Sequence, residues 1–109
     1  MSKYNLYVND ILRAINWIER DVGKIGFGEF KNKRVLIDAV AMRLQIIGES
    51  IKKLPKEKKQ SSEINWKYFE EIRNFISHAY FLVDAEILWD IIKNEIPKLK
   101  RFVKNEKVD

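Results

Sequence analysis

Cysteine is absent from the 109-residue sequence, and histidine occurs once, at position 78. The first absence removes disulfide scaffolds, thiolate nucleophiles and sulfur-ligated zinc or iron–sulfur centres. The second removes metal cages built from several imidazoles of one chain, leaving carboxylate sites and sites shared between subunits. Long apolar runs are missing too. Stretches such as Phe81-Leu82-Val83 and Ile46-Ile47 fall far short of the roughly 18 residues that cross a bilayer, so no membrane span is expected. The opening Met1-Ser2-Lys3-Tyr4-Asn5 lacks the charged-then-apolar block of a secretory signal, and a soluble cytoplasmic protein is the expectation. Glycines 23, 26 and 28 are closed by no Gly-Lys-Ser/Thr and preceded by no buried strand, so they read as a turn and not as a phosphate loop.

What is present suffices for one core. With 46% hydrophobic and 34% charged residues, the chain lies outside the composition of disorder, and its length matches a single domain over residues 1–109. A formal charge of +5 and a pI near 9.4 favour polyanionic partners without naming one.

Apolar residues recur at intervals of three and four, the spacing of one helix face, and nowhere is a period of two sustained. The fold is therefore expected to be all-α. A first stripe, Tyr4, Val8, Ile11, Ile15, Ile18 and Val22, should end at Gly23 in a left-handed cap. A connector follows, which Phe27 and Phe30 should pin to the core. The second stripe, Leu36, Val40, Leu44, Ile47, Ile51 and Leu54, is stopped by Pro55. A lysine-rich polar loop follows over 55–62. Asn65 is the expected N-cap of a third helix with Trp66, Phe69, Ile72 and Ile76 on one face and Tyr68 and Phe75 on the adjacent one. Asp84 should cap a fourth helix carrying Leu88, Ile91, Ile92, Ile96, Leu99 and Phe102, which Pro97 should bend or end early. Four amphipathic helices with short connectors suggest an up-down antiparallel bundle, with residues 104–109 as a frayed tail.

His78 is the side chain whose ordinary pKa lies near neutrality, so acid–base chemistry should pass through it. Its surroundings are Glu70-Glu71-Ile72-Arg73-Asn74-Phe75-Ile76-Ser77-His78-Ala79-Tyr80. Asn74 and His78 share a helix face, whereas Arg73 lies about 140° around an ideal helix from His78. Converging both on one phosphate needs a distorted helix end or a second subunit. The plainer alternatives are a histidine that caps the helix, an arginine paired with Glu70 or Glu71, and a half-buried core tyrosine. Periodicity does not separate these readings. Gly48 reads as a site of close helix packing and Glu49 as a solvated or capping carboxylate. The cations of 52–59 and Lys98, Lys100, Arg101 and Lys104 read as solvated faces that could also steer RNA.

Arg73, four residues, His78, one residue and Tyr80 together resemble the signature of HepT-like proteins, the toxin branch of the HEPN (higher eukaryote and prokaryote nucleotide-binding) superfamily. Leu44-Gln45-Ile46-Ile47-Gly48-Glu49-Ser50 is similar to the family's second-helix phrase, with Ser50 in place of the usual Ala. Tyr80-Phe81-Leu82-Val83-Asp84, Trp89 and Ile96-Pro97-Lys98-Leu99 resemble the tail of its signature. Many members carry an Arg-Asn-like pair where this chain has Met42-Arg43. The resemblance covers nearly the whole chain. It implies a helical homodimer acting as a metal-independent endoribonuclease, the toxin of a type VII-like toxin–antitoxin module paired with a minimal nucleotidyltransferase antitoxin. It makes Arg73 and His78 catalytic, gives Asn74 a supporting role, and makes Tyr80 the hydroxyl that accepts AMP. No cofactor or metal is implied.

The chemistry of RNA cleavage agrees with a dimer. Attack of a 2′-OH on the adjacent phosphate needs a base, an acid and a cation for the phosphoryl oxygens. One chain holds one histidine, while a two-fold dimer would supply two His78 and two Arg73. The competing reading is a non-catalytic helical dimer that binds a nucleotidyltransferase or a nucleotide. A nucleotidyltransferase activity of the chain itself is disfavoured, because no Gly-Ser turn followed by paired Asp residues occurs.

Overall fold

A computed structural model describes residues 2–106. The first helix, α1 (Lys3–Val22), starts where the Ser2 hydroxyl accepts the Asn5 N–H at 3.1 Å. It buries Val8, Ile11, Ile15, Ile18 and Val22, five of the six residues of the expected stripe, while Tyr4 is half-buried. Gly23 is not left-handed. Its φ of −65° keeps the helical turn, and its N–H donates to the Glu19 carbonyl. Glycine serves there for space, since a Cβ would lie 2.5 Å from that carbonyl oxygen. The connector then tightens into one turn, α2 (Phe27–Phe30), whose rings sit 6.0 and 5.2 Å from the Trp89 ring, so the two phenylalanines do anchor it.

The central element is α3 (Arg34–Lys53), packed against α1 on one side and α4 (Trp66–Ala79) on the other. It ends at extended Leu54 before Pro55, as a proline requires of its predecessor. The lysine-rich loop holds a single 3-10 turn at Lys56–Lys58. Asn65 precedes α4, but its side chain makes no capping bond; its carbonyl takes the Tyr68 and Phe69 N–H groups instead. Another 3-10 turn, Tyr80–Leu82, carries the chain out of α4.

The last rod begins at Asp84, whose carboxylate accepts the Glu86 N–H at 2.8 Å. It runs as α5 (Ala85–Asp90), a π-helical turn (Ile91–Glu95) and α6 (Ile96–Glu106). Pro97 does not end it. Lacking an N–H, proline cannot take the usual carbonyl one turn back, and the ladder widens just before it, with Ile96 N–H donating to Ile91 O. Residues 104–106 are helical, and Tyr4 Oη donates to Glu106 at 2.5 Å; the rest of the expected frayed tail lies outside the described residues. The fold is all-α, four long helical rods around one core of Ile, Val, Leu and Phe.

Candidate functional site

The chemistry-bearing residues gather where α3 and α4 pack antiparallel. On α3, Arg34, Asp38, Gln45 and Glu49 fall within about 60° of one another around the helix; on α4 and its exit turn, Arg73, Ser77 and Tyr80 do the same. The two stripes meet rung by rung. Arg73 Nη2 lies 3.1 Å from Glu49 Oε2, and Ser77 Oγ donates to Gln45 Oε1 at 2.9 Å. Tyr80 Oη donates to the Asp38 carboxylate and accepts from Arg34 Nη2 at 3.0 Å.

The first rung depends on a missing side chain. A Cβ on Gly48 would stand 2.4 Å from Arg73 Cβ and 2.8 Å from the Phe69 carbonyl oxygen, so glycine lets α4 approach and sets Arg73 directly against α3. Glu49 Oε2 is sealed from solvent with no aligned hydrogen bond, so the guanidinium charge is what compensates it. Arg73 Nη1 also donates to Asn74 Oδ1 at 3.1 Å. Arg73 is thus paired with Glu49 and not with Glu70 or Glu71; Glu70 lies 3.9 Å from Lys59 instead. Glu49, expected to be a solvated or capping carboxylate, keeps part of its side chain in solvent and turns Oε2 to Arg73 as a member of the site.

His78 stands on the last turn of α4, exposed, and makes no hydrogen bond or ion pair among the described residues. Because α4 stays helical through Ala79, His78 and Arg73 remain on different faces, and one chain does not bring them together. Tyr80 is half-buried, its ring 5.5 Å from the Arg34 guanidinium carbon, and Arg34 Nε lies 3.1 Å from Asp38. A shallow cleft of about 250 Å³ opens beside it, lined by Asp38, Ala41, Met42, Gln45 and Tyr80. A second, of about 330 Å³, includes Gln45, Glu49, Ser50, Lys53 and Arg73. The following residues face solvent, Phe81 at 95% and Leu82 at 74% exposure, and Val35 and Met42 are exposed on α3.

Arg34, Asp38 and Ser77 belong to no motif and Gln45 was given no role within its own; the spacing of four, seven and four through Arg34, Asp38, Gln45 and Glu49 along α3 was the signal that could have exposed the polar stripe. Several of the cations expected to be solvated are tied up: Lys100 with Glu19 at 2.7 Å, Arg101 with Glu63, and Lys58 over the Tyr4 ring. Arg43, of the departing Met42-Arg43 pair, binds Asp21 and the Trp17 carbonyl on the α1 side, away from this seam. Asp21 is held below the usual carboxylate range by hydrogen bonds from Arg20 and then Arg43. Among the described residues no three Asp, Glu or His side chains converge as metal ligands would, and no helix is long and apolar enough to cross a membrane.

This chain is similar to proteins from archaea and a bacterium. It is 41% identical over 96 residues to a Methanocaldococcus jannaschii protein named "Gamma-glutamylcyclotransferase and putative RNase", the match taking in 87% of this chain and 43% of the relative, so it spans less than half of that protein. It is 37% identical to a "Putative RNase" of Caldanaerobacter subterraneus (90% of this chain, 88% of the relative) and 39% identical to the "Probable ribonuclease HepT" of Thermococcus cleftensis (86% of each). No solved structure matches it significantly. The model of the family described as "Ribonuclease HepT-like" fits residues 11–106, from the first helix to the last turn of α6 and across every rung of the α3–α4 seam, and to that family the chain belongs.

Proposed function

We propose that this chain is a metal-independent endoribonuclease, the toxin of a toxin–antitoxin pair, working as a homodimer with Arg73 and His78 as catalytic residues. The carrying observation is the set of Arg73, anchored by Glu49 and Asn74, and His78, left free on the neighbouring face of the same helix. In this reading one His78 takes the 2′-OH proton and the symmetry-related His78 protonates the departing 5′ oxygen. Arg73, as a planar fork, steadies the charge on the phosphoryl oxygens. Asn74 supports it by fixing one edge of the guanidinium at Nη1; Nη2 faces Glu49, so the phosphate meets the N–H hydrogens these two contacts leave over. Twin imidazoles require a two-fold axis near the end of α4.

The surface around that end supports such an axis. Phe81, Leu82 and Met42 are exposed beside Tyr80, and covering a Phe or Leu side chain is worth about 1.5–3 kcal/mol each. An isologous dimer covers every such residue twice. Tyr80, next to the proposed groove, is the acceptor of AMP from a nucleotidyltransferase encoded beside this chain; the added phosphates would repel RNA and block its path.

The test is incubation of purified protein with RNA and a chelator, alongside His78→Ala. Cleavage that survives chelation and disappears in His78→Ala is expected. Cleavage that persists in His78→Ala refutes the assignment, and a wild-type protein that binds a nucleotidyltransferase but never cuts RNA would establish the non-catalytic scaffold instead. Light scattering should return a dimer.

A further inference from the structure

The Tyr80 hydroxyl sits in a more organised setting than a surface phenol needs. It donates its hydrogen to the Asp38 carboxylate and accepts a hydrogen bond from Arg34 at 3.0 Å. Arg34 is in turn held by Asp38 at 3.1 Å, one helical turn away at the start of α3. As an exposed ion pair four residues apart, Arg34 and Asp38 contribute little to stability. A phenolic oxygen carries one hydrogen and two lone pairs. With the hydrogen on Asp38 and one lone pair on Arg34, a single lone pair is left over, on a residue that lines an open cleft.

We propose that Asp38, Arg34 and Tyr80 form a prebuilt nucleophile for phosphoryl transfer, with Asp38 the proton acceptor and Arg34 the cation that receives the reacting phosphate. The proposal rests on the reading of Tyr80 as the AMP acceptor and assigns the residues of this chain that make it one. The co-reactant is a nucleoside triphosphate presented by the partner transferase. The Tyr80 oxygen attacks the α-phosphorus and a new O–P bond forms. The bond from that phosphorus to the β-phosphate bridging oxygen breaks, and its electron pair leaves with pyrophosphate. The phenolic proton passes to the Asp38 carboxylate and from there to water. Negative charge building on the non-bridging oxygens meets the Arg34 guanidinium, which already lies against the attacking oxygen. The same placement explains a choice among tyrosines: among the described residues, Tyr4 donates to Glu106 with no cation on its oxygen, and Tyr7 and Tyr68 have no hydrogen-bonded carboxylate.

Two arms test this on the full-length chain. In the first, N-acetylimidazole acylates tyrosines and peptide mass spectrometry follows each residue separately. Tyr80 should react faster than Tyr7, and Asp38→Asn should slow Tyr80 on the order of a hundredfold, the lower part of the range for a positioned base, while Tyr7 is unchanged. Asp38→Glu, which keeps a carboxylate, should recover part of the rate, and circular dichroism checks that each variant is folded. In the second arm, magnesium, ATP and the neighbouring nucleotidyltransferase are added, and the mass gain of AMP on Tyr80 should show the same ordering. Equal Tyr80 acetylation rates in wild type and folded Asp38→Asn, or a wild-type AMP gain that Asp38→Asn matches, overturn the proposal. Fast, Asp38-dependent acetylation with no AMP gain in the wild type would sustain the nucleophile and refute AMP as its natural modification.

Discussion

Replacing Gly48 with alanine sets two effects of opposite sign against each other. Inside a helix, Gly→Ala alone stabilises by about 0.8–1.0 kcal/mol, because glycine loses the most backbone freedom on folding. Against this stands the space. Carbons in contact sit about 3.5–4.0 Å apart, and the new methyl would begin 2.4 Å from Arg73 Cβ, so α3 and α4 must part by roughly 1 Å or more. The second contact, 2.8 Å to the Phe69 carbonyl oxygen, is backbone and cannot rotate away. Overpacking of this kind costs about 1–3 kcal/mol, and with both obstacles rigid the upper end applies, for a net loss of about 2 kcal/mol. At roughly 4–8 °C per kcal/mol for a domain of this size, the melting temperature should fall by about 8–16 °C. Arg73→Ala in the same chain should not rescue it, since alanine keeps the offending Cβ. The parted helices also move Arg73 off Glu49, and a displacement near 1 Å can cost as much as about a hundredfold in rate. Urea unfolding followed by far-UV circular dichroism, with RNA cleavage measured on the folded fraction, checks both halves. A Gly48→Ala protein as stable as wild type or more so would show that the close approach at Gly48 is not what holds the seam.

Three further outcomes are expected. Because Asp21 is held below its ordinary 3.8 by Arg20 and Arg43, the unfolded chain takes up that proton first as pH falls. The pair's stabilisation is therefore full above about pH 4 and drains away in acid, and Asp21→Asn should melt earlier than wild type at neutral pH yet lose less on acidification; parallel curves would refute it. Burial, then the hydrogen bond to Glu106, raises the Tyr4 phenol above its ordinary 10.0. The unfolded chain thus loses that proton first, stability is full below about pH 10 and declines as pH rises further, and Tyr4→Phe should flatten that alkaline limb while costing about 0.5–1.5 kcal/mol at neutral pH. An alkaline limb unchanged by Tyr4→Phe would contradict this. Phe81→Lys, on an almost fully exposed side chain, should leave the fold's melting intact at low protein concentration but shift light scattering from dimer to monomer; a dimer unmoved by the lysine would place the two-fold interface elsewhere.

The helices were legible because each buries a stripe that repeats at the helical period: Ile11, Ile15 and Ile18 or Val40, Leu44, Ile47 and Ile51 have no other arrangement that hides them all. Ends were legible where chemistry is local, as at Pro55 and Asp84, and misread where it is not. Gly23 looked like a left-handed cap, but its role is to clear the Glu19 carbonyl, a contact that depends on how the helix exits. Pro97 was expected to bend the rod or end it early, and it does not end it: the π-helical turn before it absorbs the missing N–H while Ile96, Leu99 and Val103 hold the rod in the core.

The site divides along the same line. Arg73, Asn74, His78 and Tyr80 lie within eight residues of one another, so a linear pattern finds them. Their partners do not: Glu49 is 24 positions before Arg73, Gln45 is 32 before Ser77 and Asp38 is 42 before Tyr80. Those separations grow by eight and then ten because the helices run antiparallel, so each step forward on α4 meets a step back on α3. Such pairing becomes visible only once the two helices are known to touch. What brings them that close is one absent methyl at Gly48, which makes Glu49 reach Arg73 rather than water, and so the residue with the least chemistry of its own decides which carboxylate faces the arginine.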